Sequence, residues 1–122
     1  MQLGVLGLGR MGRIVVDRTL DAGHDVVAFD LDDDAVAAAA DAGATPVDSV
    51  TELAAELGDE KRIWLMVPAG EPVDAALADL EPRLDGDDVV VDGGNSHFED
   101  SVRRAEETDA GYLDCGTSGG PA

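Results

Sequence analysis

The stretch Gly7-Leu8-Gly9-Arg10-Met11-Gly12 restricts what this chain can fold into more than any other. It follows an apolar run, Gln2 to Leu6, that reads as a first strand. It opens a segment in which Met11, Ile14 and Val15 recur at helical spacing. The next apolar run, Val26-Val27-Ala28-Phe29, ends on Asp30. Three spaced glycines alone are weak evidence. Strand, glycine turn, helix, strand and terminal acid within about thirty residues form the full dinucleotide-binding pattern.

Each residue has a physical reason to be there. Gly7 allows the sharp turn out of the strand, Gly9 lets the backbone approach a pyrophosphate, and Gly12 lets the helix pack against the strand. The helix N-terminus presents N–H groups and a positive dipole end to the anion. Asp30 is placed to accept hydrogen bonds from the adenosine ribose hydroxyls. A 2′-phosphate would set further negative charge against that carboxylate, so NAD is expected over NADP. The competing reading is a glycine-rich turn that binds nothing, with Asp30 as a strand-end cap.

Downstream, strand and helix signals alternate. Asp33 to Ala42 predicts a short alanine-rich helix, and Gly43 to Val47 a brief third strand or turn. Val50, Leu53 and Leu57 mark a helix stopped at Gly58. Arg62 to Val67 predicts a buried strand, Val73, Leu77, Leu80 and Leu84 one helical face, and Asp88 to Asp92 another strand. Ser96 and Glu99 have capping-box spacing for a helix running to about Thr108, and Tyr112 to Asp114 is a last short strand. The fold class is α/β: a Rossmann-type, doubly wound, mostly parallel sheet with helices on both faces. Residues 1–122 form one dinucleotide-binding domain. In such sheets ligands bind beyond the carboxyl ends of the strands. The loops there are Gly7 to Gly12, Asp30 to Asp32, Val67 to Gly70 and Gly93 to Ser96, with Gly116 to Gly120 after the last strand.

The charge balance narrows the partners. With 27 acids against 8 bases the net charge is −19, and Lys61 is the one lysine. That charge repels nucleic acid and anionic membranes, so neither is expected as a partner. It would repel an anionic cofactor too, unless salt screens it: the Debye length falls to about 3 Å at 1 M. Acid-rich, lysine-poor composition, with runs such as Asp32-Asp33-Asp34, resembles proteins of salt-accumulating halophiles. Disorder is the competing reading of high charge, against which stand 44% hydrophobic residues in regular patterns. No apolar run approaches the roughly 20 residues of a membrane span, and the N-terminus enters the first strand with no room for a signal peptide. The lone Cys115 excludes an internal disulfide and reads as a small buried hydrophobe. A cytoplasmic protein is expected, and nothing in the pattern calls for a metal.

Val91-Asp92-Gly93-Gly94-Asn95-Ser96, with Phe98-Glu99-Asp100-Ser101 and Arg103-Arg104 after it, strongly resembles the 6-phosphogluconate dehydrogenases. So do Leu65 to Gly70 and the Thr117-Ser118-Gly119-Gly120 turn, and the resemblance covers the whole chain. It implies oxidation of 6-phosphogluconate at C3 with a nicotinamide cofactor, loss of carbon dioxide and formation of ribulose 5-phosphate, a step of the pentose phosphate pathway. By position, it implies that Gly7, Leu8, Gly9, Arg10, Met11 and Gly12 hold the pyrophosphate. Asp30, Leu31 and Asp32 would meet the adenosine ribose, and Val67, Pro68 and Ala69 would line the cofactor. Asn95 would touch both cofactor and substrate, and Ser118, Gly119 and Gly120 would hold the sugar acid. NADP-linked members resemble Asn-Arg-Thr or Asn-Arg-Ser at Asp30-Leu31-Asp32, so the arginine that grips a 2′-phosphate is missing, and Pro68 replaces the lysine of the common Val-Lys-Ala-Gly loop.

The resemblance also implies a catalytic lysine and glutamate downstream of Ala122, so no catalytic residue is expected in this chain. It is expected to be the N-terminal portion of a longer, homo-oligomeric enzyme, inactive by itself. Lys61, at the amino edge, reads as solvated, His24 as a turn residue, and His97 as a neighbour of the site. Two alternatives remain: a β-hydroxyacid dehydrogenase, or a non-catalytic NAD-sensing module.

Overall fold

The computed structural model describes residues 2–58, 61–66, 71–84, 87–93 and 111–114. Their backbone forms β1 (Gln2–Leu6), α1 (Arg10–Asp21), β2 (Asp25–Phe29), α2 (Asp33–Ala42), β3 (Thr45–Pro46) and α3 (Val50–Leu57). There follow β4 (Arg62–Leu65), α4 (Glu71–Leu80), a 3-10 turn (Glu81–Arg83), β5 (Val89–Asp92) and β6 (Gly111–Asp114). The sheet order is β3-β2-β1-β4-β5-β6, and each pairing is parallel. The chain winds outward from β1 to β3, returns beside β1 as β4, and winds the other way. That reversal opens a crevice at the carboxyl ends of β1 and β4.

Side-chain alternation along the strands divides the core between two faces. Leu6, Val27, Ile63, Leu65 and Val90 pack with Leu53 and Leu57 of α3 and Ala76, Leu77 and Leu80 of α4. Val5, Val26 and Ala28 pack with Val16 of α1 and Ala39 of α2, and Trp64 lies against that cluster. Gly4 sets how closely α3 approaches: a Cβ there would come within 2.8 Å of both Leu53 Cδ2 and Leu57 Cδ1. Leu53 is fully buried, and truncating such a leucine to alanine costs about 2–5 kcal/mol.

The helix ends follow from local chemistry. Asp32 accepts the Asp34 N–H at 3.0 Å to start α2, and Gly43 closes it in the left-handed region at φ 116°. Ser49 Oγ accepts the Glu52 N–H at 3.0 Å, while the Glu52 carboxylate accepts the Asp48 N–H at 3.1 Å. This is a reciprocal cap shifted one residue toward the N-terminus.

Several elements differ from the sequence pattern. Of the three apolar residues at helical spacing in α1, Val15 packs against the core, whereas Met11 and Ile14 are 37% and 39% exposed and the buried positions are Gly12 and Val16. The close approach at Gly12 rotates the inward stripe onto 12 and 16, one helical turn apart. The third strand is two residues long, and β4 ends at Leu65, although the Met66 N–H still donates to the Leu6 carbonyl at 2.7 Å. The helix expected to carry Leu84 gives way to the 3-10 turn around Pro82, which lacks an N–H. Leu84 nevertheless reaches the same core as Leu77 and Leu80. The side chain of Val73, the helix expected from Ser96 to Thr108, and Cys115 lie outside the described residues.

Candidate functional site

The glycine turn leaves β1 with Gly7 at φ 96°, a conformation that side chains resist. Its first two amides are tied to the end of β2. The Gly7 N–H donates to the Phe29 carbonyl at 2.9 Å, and the Leu8 N–H donates to Asp30 Oδ2 at 2.6 Å. Gly9 then starts α1, its carbonyl accepting the Arg13 N–H at 2.9 Å, with no side chain capping the helix. Among the described residues, a Cβ on Gly9 would meet nothing within 4 Å, so they leave the approach to the helix N-terminus clear. A Cβ on Gly12 would lie 1.9 Å from the Gly7 carbonyl oxygen. One glycine turns the chain, one keeps the approach clear, and one closes the packing.

Charge around the turn departs from the chain as a whole. The first acidic residue is Asp17, and the first turn of α1 holds none. Asp17 is occupied by Arg13 at 3.1 Å, while Arg10 lies exposed beside the turn. The start of α1 therefore presents N–H dipoles and arginine, with the Asp30 carboxylate on the β2 side of the turn. The positions of the acids alone carried that signal, which a net charge of −19 conceals.

Asp30 is half-buried and uses both oxygens internally. Oδ1 accepts the Asp32 N–H at 2.8 Å while Oδ2 holds Leu8. Leu31 is 92% exposed beside it, and the exposed Asp32 turns its carboxylate to the cap of α2. The structure thus brings together Gly7, Leu8, Gly9, Gly12 and Asp30, with Arg10 and Met11 on the open side of the helix. Val67, Pro68, Ala69, Asn95, Ser118, Gly119 and Gly120 lie outside the described residues, as does His97.

Trp64 and Met66, which the sequence reading gave no individual role, stand at the end of β4, beside Gly93 after β5. Trp64 Nε1–H donates to Met66 Sδ. A Cβ on Gly93 would fall 2.5 Å from that sulfur and 2.6 Å from Trp64 Nε1. Gly93, whose N–H donates to the Leu65 carbonyl at 2.8 Å, is thus also a packing glycine. Trp64 and Met66 stand two apart, the spacing that puts extended residues on one face.

The crevice offers N–H donors and open backbone for a pyrophosphate, and a carboxylate for ribose hydroxyls. This donor and acceptor set fits a dinucleotide. The family model for the NAD binding domain of 6-phosphogluconate dehydrogenase matches residues 2–122. The chain belongs to that family. It is 80% identical over its whole length to an NAD(+)-dependent, decarboxylating 6-phosphogluconate dehydrogenase of Haloferax volcanii, of which it spans 41%. Over 97% of its length it is 37% identical to the protein of that name in Bacillus subtilis, spanning 27% of it. Among solved structures, a 3-hydroxyisobutyrate dehydrogenase of Mycobacterium tuberculosis with L-serine superposes at a TM-score of 0.87, with 26% identity, over 98% of this chain and 41% of that one. A Myxococcus stipitatus imine reductase variant in complex with NAD+ shares the fold at a TM-score of 0.79 and 21% identity, over 93% of this chain and 39% of that one. The acid-rich composition agrees with the Haloferax relative. The family is that of an NAD binding domain, and both curated relatives are named for NAD(+) dependence. Among the described residues, no helix is long and apolar enough to cross a membrane.

Proposed function

We propose that the whole protein carries out the NAD-dependent oxidative decarboxylation of 6-phosphogluconate to ribulose 5-phosphate, and that this chain supplies the cofactor site and part of the substrate site. The observation that carries this reading is 80% identity, along the entire chain, to a protein named for that activity. The bound nicotinamide would supply the hydride acceptor. The N–H groups at the start of α1 and the bare backbone at Gly9 hold the pyrophosphate, with Arg10 adding positive charge. Asp30 accepts from the ribose hydroxyls and disfavours a 2′-phosphate, and Leu31 offers apolar surface beside it. Leu8, Met11, Gly12, Asp32, Val67, Pro68, Ala69 and Asn95 complete the cofactor site, while Asn95, Ser118, Gly119 and Gly120 hold the sugar acid. The proton-transfer lysine and glutamate belong to the part of the protein beyond this chain. The protein works in the cytoplasm as a homo-oligomer, without nucleic acid or membrane as a partner.

A β-hydroxyacid dehydrogenase is the second reading, favoured by the 0.87 superposition on the Mycobacterium protein. Against it stand the lower identity and the Gly93-Gly94-Asn95-Ser96 segment. The deciding experiment uses the full-length protein at about 2 M KCl, where its charge is screened. NAD and NADP are titrated in parallel by calorimetry, and turnover is measured with 6-phosphogluconate and with 3-hydroxyisobutyrate. Preferential NAD binding and turnover of the phosphorylated acid are expected. Turnover of 3-hydroxyisobutyrate alone would establish the second reading. NAD binding with turnover of neither acid would favour a sensing module.

A further inference from the structure

We propose that Asp30 is a positioning residue for the glycine turn, and that the side chain discriminating NAD from NADP also holds the phosphate cradle in shape. The inference rests on the dinucleotide reading of the site and deepens it. Its basis is a pair of hydrogen bonds from the backbone to this carboxylate. Oδ2 receives the Leu8 N–H at 2.6 Å, and Oδ1 receives the Asp32 N–H at 2.8 Å. Leu8 is buried and lies between the two glycines that shape the turn. Its amide points back to β2 and away from the crevice, and the Gly7 amide does the same toward the Phe29 carbonyl. The turn is therefore anchored on one side by two successive N–H groups, and Gly9 follows with none of the described residues within 4 Å of where its Cβ would lie.

A carboxylate has about four acceptor positions. Two are spent on the backbone, and the rest remain for ribose hydroxyls. Charge-assisted bonds of this kind are about twice as strong as neutral ones. Removing the acceptor also strands a buried N–H, a loss beyond that of the bond itself. Alanine at this position therefore removes the clasp along with the repulsion toward a 2′-phosphate. Asparagine removes the charge but keeps one oxygen for Leu8. A change of cofactor preference at this site needs an acceptor in the new side chain.

The test compares Asp30→Asn with Asp30→Ala in the full-length protein at high salt, with dissociation constants for NAD and NADP. Circular dichroism establishes that each variant is folded. The expected result is that Asp30→Ala weakens both cofactors by about tenfold or more, whereas Asp30→Asn weakens NAD and holds or improves NADP. A merely ribose-contacting Asp30 predicts equal NADP affinity in the two variants, and that result overturns the proposal. A second measurement works on the unmutated, cofactor-free protein. The Leu8 amide should exchange slowly and resonate downfield in its nitrogen-proton spectrum. Exchange as fast as an exposed amide overturns the clasp, even if Asp30→Ala fails to fold. If the unmutated protein binds neither cofactor, the dinucleotide reading fails, while the Leu8 measurement still decides the clasp.

Discussion

Asp30 and Asp88 stand at opposite ends of the same sheet, and each accepts a backbone N–H at 2.6 Å. Asp88 precedes β5 and takes the amide of Lys61, which precedes β4, so the bond ties the beginnings of two adjacent strands. Arg62 reinforces the knot by donating to the carbonyls of Asp87 at 3.2 Å and Lys61 at 3.3 Å. Asp88 is 1% exposed, whereas Asp30 is half-buried and borders the glycine turn before α1. The chemistry is the same; the surroundings differ. At the amino edge the carboxylate is enclosed, and its work is holding strands together. At the carboxyl edge of a parallel sheet the strand connections diverge, and a similar carboxylate keeps acceptor positions facing a ligand.

Four substitutions sharpen the contrast between a site that recognises and an edge that only stabilises. The largest effect is expected from Gly12→Ala. Its Cβ would overlap the Gly7 carbonyl, so α1 must shift, at about 3 kcal/mol or more. Thermal unfolding should fall steeply and NAD binding should vanish with it. Next comes Asp88→Ala, which deprives the Lys61 amide of its acceptor and costs roughly 1–3 kcal/mol. NAD affinity measured below its unfolding temperature should stay unchanged, and a weaker affinity would break the division between the two ends. Ser49→Ala removes the cap of α3 for about 1 kcal/mol, again visible in unfolding and absent from NAD titration. Gly9→Ala is expected to be the mildest for stability, within about 0.5 kcal/mol, since its φ of −65° suits any residue and its Cβ meets nothing. Yet it should weaken NAD by about tenfold or more, about 1.4 kcal/mol, because the new methyl occupies the cradle. Equal NAD affinity in Gly9→Ala and the unmutated protein would remove the pyrophosphate from that position.

The strands and helices within the described residues were legible in the sequence wherever one apolar period ran uninterrupted. Val26-Val27-Ala28-Phe29 read as the second strand and is buried along Val26 to Ala28, and Val50, Leu53 and Leu57 read as one helical face and pack on the core. Legibility failed where a close contact overrode the pattern. The spacing of Met11, Ile14 and Val15 marked a helix but not its inner face, which the close contact at Gly12 sets on Gly12 and Val16. Lys61 was weighed for its ammonium, whereas its amide makes the bond to Asp88. Asp32, expected beside the ribose, also caps α2 with its carboxylate, a bond that its place in the motif did not announce. Backbone hydrogen bonds leave little trace in residue type, because every residue but proline carries the same donor and acceptor.

The sequence by itself determined the order of elements, the doubly wound class, the acid at the end of β2 and the family. Those follow from hydrophobic period, glycine placement and local charge, which are properties of neighbours along the chain. Only the tertiary structure decided that Asp30 clasps the Leu8 amide, that Gly93 lies against Trp64 and Met66, and that Asp88 is buried between strand beginnings. These contacts join residues far apart along the chain or packed from different strands, and the register of the parallel sheet brings them within bonding distance.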